Sequence, residues 1–152
     1  MSKLQKKNSE QISHYREIFP TGEFAIRESK IDDEYKIMIV NTALKDYEYK
    51  HLFPWSLWVN VIIEEPGLPT DKKAVSLNDF EDSIIGVLNK NADFLFIGRI
   101  THSGNRDIYF YLDNPKLVHE QLQKMTSNSQ CEFEYVIDND KSWKQVDIFY
   151  NY

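Results

Sequence analysis

The chain has 152 residues, a net charge of −6 and a pI near 5.2. That balance counts against general binding to nucleic acid or anionic membranes, both of which draw on clustered positive charge. A 41% hydrophobic and 28% charged content is that of a soluble globular protein, long enough to bury roughly 68–70% of its unfolded surface, so residues 1–152 read as one domain. The lone cysteine, Cys131, excludes an intrachain disulfide.

Residues 1–20 read as an N-terminal arm. Lys3, Lys6 and Lys7 make a solvated basic start, with no apolar signal core around them. A short helix follows, capped by Asn8 or Ser9, carrying Ile12, Tyr15 and Phe19 on one stripe and stopped by Pro20. Residues 21–45 hold two strand candidates, 23–29 and 35–44, separated at Asp32-Asp33. In the second, Tyr35, Ile37, Ile39 and Asn41 alternate with Lys36, Met38 and Val40, and the two can pair as a hairpin.

Residues 55–64 give the strongest strand signal. Trp55, Leu57, Val59, Val61 and Ile63 point to one face, and Ser56, Trp58, Asn60, Ile62 and Glu64 to the other. Apolarity on both faces predicts a central position in a sheet. Pro66-Gly67-Leu68-Pro69 turns the chain. A helix then opens at Ser76, with Asp79 as a short-armed capping box and Leu77, Phe80, Ile84, Val87 and Leu88 as its buried stripe. Asp79, Glu81 and Asp82 near its start are explained by the helix dipole.

Residues 94–112 form a hairpin around Ser103-Gly104, where Gly104 supplies the positive φ of the turn and Thr101 lies opposite Arg106. One face then carries Leu95, Ile97, Arg99, Thr101, Arg106, Ile108, Phe110 and Leu112. The other carries Phe94, Phe96, Gly98, Ile100, His102, Asp107, Tyr109 and Tyr111, with the Tyr109 ring lying over Gly98. A second helix starts at Asn114 as N-cap and Pro115 as its first residue, burying Val118, Leu122 and Met125. Residues 131–138 alternate as a strand, and 143–150 read as a last strand.

The order β-α-β-β-α-β over residues 55–138 predicts an α+β, ferredoxin-like core: an antiparallel sheet with both helices on one face. The N-terminal strands and the last strand then extend the sheet or wrap its open face. That face presents Trp58, Phe96, Tyr109 and Tyr111, with Asn60 and Asp107 between them. Either residues 1–45 or a second copy of the chain cover these rings, or they form a platform for a partner. Arg99 and Arg106 fall close together and need an anion, supplied by an acid on the first helix or by a bound phosphate or carboxylate.

No phosphate-binding loop, dinucleotide fingerprint, H-E-x-x-H or G-x-S-x-G occurs. His14, His51, His102 and His119 are scattered singly, Glu64 and Glu65 point to opposite faces, and Cys131 reads as a small core residue. Catalytic, cofactor and metal residues are therefore not assigned. The RNA-recognition modules share this element order and stack bases on open-face aromatics. Here, though, the strand Arg106-Asp107-Ile108-Tyr109-Phe110-Tyr111 lacks their glycines and carries an acid where a phosphate approaches.

Several runs resemble the bacterial domain-of-unknown-function 695 family. They are Leu57-Trp58-Val59, Gly67-Leu68 and Asp79-Phe80-Glu81-Asp82, then Gly98-Arg99-Ile100-Thr101, Gly104-Asn105-Arg106, Tyr109-Phe110-Tyr111 and Trp143…Asp147…Phe149-Tyr150. The resemblance runs from about Tyr35 to the end. The N-terminus departs from it, since only His14-Tyr15 stands where family members carry a Trp-x-x-Tyr-like segment. The resemblance implies no catalytic residues. Some relatives appear joined to a domain similar to protein inhibitors of ribonuclease E, which implies regulation through protein contact.

The expectation is a non-catalytic cytoplasmic interaction or regulatory module, with a protein partner or a second copy as its target and no cofactor. The rival readings are a small-anion binder or enzyme using Arg99 and Arg106, and an RNA-binding module.

Overall fold

A computed structural model describes residues 9–31, 33–63, 68–129 and 131–151. The Asn8 cap, Asp32, Glu64, Glu65 and the Pro66-Gly67 part of the predicted turn lie outside the described residues. Among the described residues are α1 (Ser9–Ile18), β1 (Phe24–Ile31), β2 (Glu34–Asn41), β3 (Trp55–Ile62), α2 (Asp71–Asn91), β4 (Phe94–His102), β5 (Asn105–Leu112), α3 (Lys116–Met125), β6 (Phe133–Asn139) and α4 (Asp147–Tyr150). The six strands form one antiparallel sheet in the order β1-β2-β4-β5-β3-β6. None of the described helices is long and apolar enough to cross a membrane.

The β1–β2 hairpin forms and adds to the free side of β4, through Ile37 opposite Thr101 and Val40 opposite Gly98. This moves the middle of the sheet. β3 is an interior strand as its two-sided apolarity requires, but the β4–β5 hairpin now holds the centre. Its loop is Ser103-Gly104, with Gly104 at φ +85°.

α2 and α3 lie together on one face. Leu77, Phe80, Ile84 and Leu88 of α2 and Val118 and Leu122 of α3 bury against Leu57, Val59 and Val61 of β3 and Ile108, Phe110 and Leu112 of β5. α2 starts five residues earlier than Ser76. Thr70, in extended conformation, accepts from the Lys73 N–H at 3.3 Å, and Asp71 meets the helix dipole in the first turn. Asp79 is mid-helix, not a capping partner. α3 begins one residue later than expected, with Pro115 at the N-cap and Lys116 as its first residue, although Asn114 Oδ1 accepts from the Lys116 N–H at 3.1 Å.

Two expectations about the opposite face fail, each for a local reason. A β-bulge at Ile97 separates the pairs Phe96↔Phe110 and Gly98↔Tyr109. One extra residue reverses side-chain parity along the strand. From Gly98 onward the faces are as predicted. Before it they exchange: Phe94 and Phe96 pack on the helix-covered core, while Leu95 and Ile97 bury on the other side. Asn41 supports the bulge by donating from Nδ2 to the Phe96 carbonyl at 3.0 Å.

The predicted strand 143–150 is instead a 3-10 turn, Lys144–Val146, running into α4. Trp143 sits at φ 59°, ψ 38°, a left-handed conformation that breaks an extended chain. Trp143, Val146 and Phe149 recur every third residue, and all three are buried. They form a second core with Val40, Leu44, Phe53, Leu95, Ile97 and Tyr111. Ile18 at the end of α1 and Phe19 just after it close one end of this core, with Phe19 5.6 Å from the Phe53 ring.

Candidate functional site

The aromatic face divides into a covered half and a bare half. Tyr111 is fully buried. Its ring stacks on Trp143, with centroids 4.4 Å apart and planes 18° apart, and its hydroxyl donates to Asp140 Oδ2 at 2.6 Å. Asp140 also accepts from the Lys144 N–H at 3.1 Å and the Gln145 N–H at 3.0 Å, so it ties the C-terminal turn to the sheet. Trp143 stacks on Tyr47 as well and donates from Nε1 to the Phe53 carbonyl at 2.9 Å. Burial and the Asp140 carboxylate push the Tyr111 hydroxyl pKa far above its ordinary value.

Phe149, not Tyr109, lies over Gly98: a Cβ there would meet the Ile39 carbonyl oxygen at 2.3 Å and Phe149 Cε1 at 2.7 Å. Tyr109 meets Phe149 edge-on at 5.2 Å and is half-buried, and burial followed by Asp107 raises its pKa. The cover over Tyr111 and Tyr109 is thus the chain's own: the C-terminal segment lies over the rings, and Ile18, Phe19, Val40 and Leu44 from residues 1–45 complete the same core. Of the four proposed surface residues, Phe96 faces the helices, Tyr111 is sealed, and Trp58 and Tyr109 remain partly accessible.

On the bare half, Asp107 gathers its neighbours. Its Oδ1 accepts from Trp58 Nε1 at 3.0 Å and from Asn60 Nδ2 at 2.7 Å, and its Oδ2 lies 3.0 Å from His102 Nε2. The network fixes the Trp58 ring on the sheet. Among the described residues no cluster of three or more His, Cys, Asp or Glu is placed to hold a metal.

Arg99 and Arg106 come together on the helix-covered side, at the mouth between α2 and the hairpin, and find an acid on α2. Arg99 donates to Glu81 Oε2 at 2.6 Å. Arg106, buried, donates from Nε to Thr101 Oγ1 and from an Nη to Asn78 Oδ1, each at 3.0 Å. One carboxylate therefore answers two guanidiniums, and Glu81 Oε1 is buried without a hydrogen-bond partner. Desolvation raises the Glu81 pKa against the opposing pull of Arg99 and Arg106. Arg106 is lowered, first by burial and then by Arg99.

A third feature carries no signature motif in the sequence. β6 is an edge strand, and beside it a groove of about 420 Å³ opens along α3, lined by His119, Gln123, Thr126, Phe133, Glu134, Tyr135 and Ile137. The Tyr135 hydroxyl spans it, 2.9 Å from His119 Nδ1 and 3.1 Å from Gln123 Oε1. The hydrogen-bonded pairs with β3 include Ile62 with Glu132 and Pro54 with Asp140, at 2.9 and 2.7 Å. Bonded pairs alternate in an antiparallel ladder. Glu134, Val136 and Asp138 therefore bond inward, and the N–H and C=O groups of Phe133, Tyr135 and Ile137 point outward along the free edge. The sequence signal for this site is the alternation in 131–138 combined with its place as the last strand of the β-α-β-β-α-β order, an edge position in such a sheet.

These features define an α+β protein built on a six-stranded antiparallel sheet, with helices closing one face and the C-terminal segment half-closing the other. The chain belongs to a family of unknown function, DUF695, whose model matches residues 23–150. The match takes in every strand, both arginines and the β6 edge, and leaves α1 outside. No curated protein matches the chain, and no solved structure does.

Proposed function

We propose that this chain is a non-catalytic protein-interaction module of the bacterial cytoplasm that receives an extended segment of its partner at the β6 edge. The reading takes residues 1–152 as a single domain with a ferredoxin-like core. Support for that core comes from the order β6-β3-β5-β4 with α2 and α3 on one face. The observation that carries the function is the free ladder of Phe133, Tyr135 and Ile137 running beside the α3 groove. Added strands gain main-chain hydrogen bonds from such an edge and side-chain specificity from the groove next to it.

The test compares partners captured from native lysate by the parent protein, by Tyr135→Ala and by Tyr135→Pro. Both variants lose the ring, but only proline removes the outward N–H, while the inward ladder stays intact. Partners held by Tyr135→Ala and lost with Tyr135→Pro support the reading. Identical sets from all three proteins sink it.

A second reading, binding of a small oxyanion at Arg99 and Arg106, is favoured by the buried, partnerless Glu81 Oε1 beside two guanidiniums. A protonated phosphate has acceptors for the arginines and a hydroxyl for that oxygen. Thermal stabilisation by inorganic phosphate that disappears in Arg99→Gln and Arg106→Gln would support it. The RNA reading has less behind it: Asp107 and Glu134 line the bare half of the face where a backbone phosphate would run.

A further inference from the structure

Resting on the interaction reading, we infer that the segment accepted by β6 is basic at alternate positions and apolar at those between, and that it comes from another protein rather than from a second copy of this chain. Residues directly opposite one another on neighbouring strands share a face, where opposite charges attract and like charges repel. Glu134 and Asp138 are exposed on the face away from the helices, with Val136 exposed between them, and Glu132 continues the row. The other side of the strand turns Phe133, Tyr135 and Ile137 toward α3 and its groove. An incoming strand therefore sets every second side chain against acids and the intervening ones against an apolar wall.

The same row disfavours self-pairing about a two-fold axis at any of residues 133–136. With Phe133 on the axis, Glu132 faces Glu134; with Glu134 on it, that residue faces itself. With Tyr135 on the axis Glu132 faces Asp138, and with Val136 on it Glu134 faces Asp138. Each register sets acid against acid. The opposite edge differs: β1 carries charges of both signs, Arg27, Glu28 and Lys30, and Arg27 donates to the Phe149 carbonyl of α4.

The experiment follows backbone amide exchange of the full chain with three end-blocked synthetic peptides, alternating Lys/Val, Glu/Val and Ser/Val. The Lys/Val peptide is expected to protect the amides of Phe133, Tyr135 and Ile137 and to bind at least about tenfold tighter than the Glu/Val peptide. Its affinity should fall with added salt. In the double variant Glu134→Lys, Asp138→Lys the preference should reverse. Protection of the three amides with no charge preference overturns the inference and leaves the edge reading standing. Protection by no peptide overturns both. Protection that grows with protein concentration alone overturns the inference in favour of a second copy.

Discussion

The two faces of the sheet are closed by different means. On one, α2 and α3 bring apolar stripes down on β3 and β5, and the interior backbone groups of each helix are satisfied within the helix itself. On the other, a short 3-10 turn and α4 cover the rings, and side-chain hydrogen bonds tie that cover and its neighbours together. Tyr111 donates to Asp140, Trp143 to the Phe53 carbonyl and Tyr150 to the Asn41 carbonyl, while the Tyr47 hydroxyl donates to Ile18. This is why the second core is aromatic. Tyr and Trp carry large apolar bodies with one polar handle each, and a cover of one short turn and one short helix is anchored through those handles. An aromatic sheet face can thus be a seat for the chain's own C-terminal segment.

The comparison is broken most severely at Trp143. Trp143→Ala removes the stack on Tyr111, the stack on Tyr47 and the bond to Phe53, and is expected to cost about 3–5 kcal/mol in urea denaturation. Leu88→Ala on the helix face belongs to the range of about 2–5 kcal/mol. The two differ in which surface they open: only Trp143→Ala should expose Tyr111 to iodide or acrylamide quenching before global unfolding. Equal quenching in both variants would show that the C-terminal cover is not a separate closure.

Gly98→Ala comes next. The added methyl meets the Ile39 carbonyl oxygen as well as the Phe149 ring, so both the β2 ladder and the cover have to move. The expected loss is about 1–3 kcal/mol, the range for overpacking. Phe149→Ala, although itself destabilising, relieves only the ring contact, so it should rescue Gly98→Ala in part. Full rescue in the double variant would mean that the cover alone, and not the β2 backbone, requires glycine.

Much of this is legible in the sequence, and the failures have physical causes. Alternation locates β2 to β6, because a half-buried strand must alternate. Gly104 marks the hairpin turn, because few other residues accept its φ. The order of elements places both helices on one face. The bulge at Ile97 escapes because 94–98 is apolar at four of five positions, so either parity reads as buried. The Trp143–Tyr150 segment escapes because its helical period of three, Trp143, Val146, Phe149, competes with an equally readable alternation. The counter-charge for the arginines is legible as an acid on the first helix. The buried stripe itself selects Glu81 from Asp79, Glu81 and Asp82, since it stands four residues after Leu77 and three before Ile84.

The aromatic closure should also show itself in alkali. The pKa values of Tyr47 and Tyr111 are raised in the folded chain, chiefly by burial, while the ordinary tyrosine value is 10.0. A raised folded pKa contributes stability that is complete below the unfolded value and lost as pH climbs toward the folded one. Stability should therefore fall above about pH 10, and ultraviolet difference absorbance should show Tyr47 and Tyr111 ionising only as the chain unfolds. Their ionisation at an ordinary pH with near-UV circular dichroism intact would refute the sealed geometry.

The smallest expected effect probes the polar mouth of the helix-covered face. Glu81 sits beneath α2 with one oxygen on Arg99 and the other without a partner, and burial raises its pKa above the ordinary 4.5. Protonation thus favours the folded state more than the unfolded one. The contribution of Glu81 is largest below pH 4.5 and is lost as pH rises through the higher folded value. Glu81→Gln keeps the shape and the acceptor for Arg99 but cannot titrate. The stability of the parent relative to Glu81→Gln should consequently improve as the pH is lowered from neutral toward 4.5, the reverse of the usual acid loss from a salt-bridged carboxylate. Urea midpoints of the two proteins across that range decide it. A parent that loses ground to the glutamine variant on acidification would mean that attraction by the two arginines outweighs desolvation, and that the mouth of the helix-covered face is an ordinary ion-pair network.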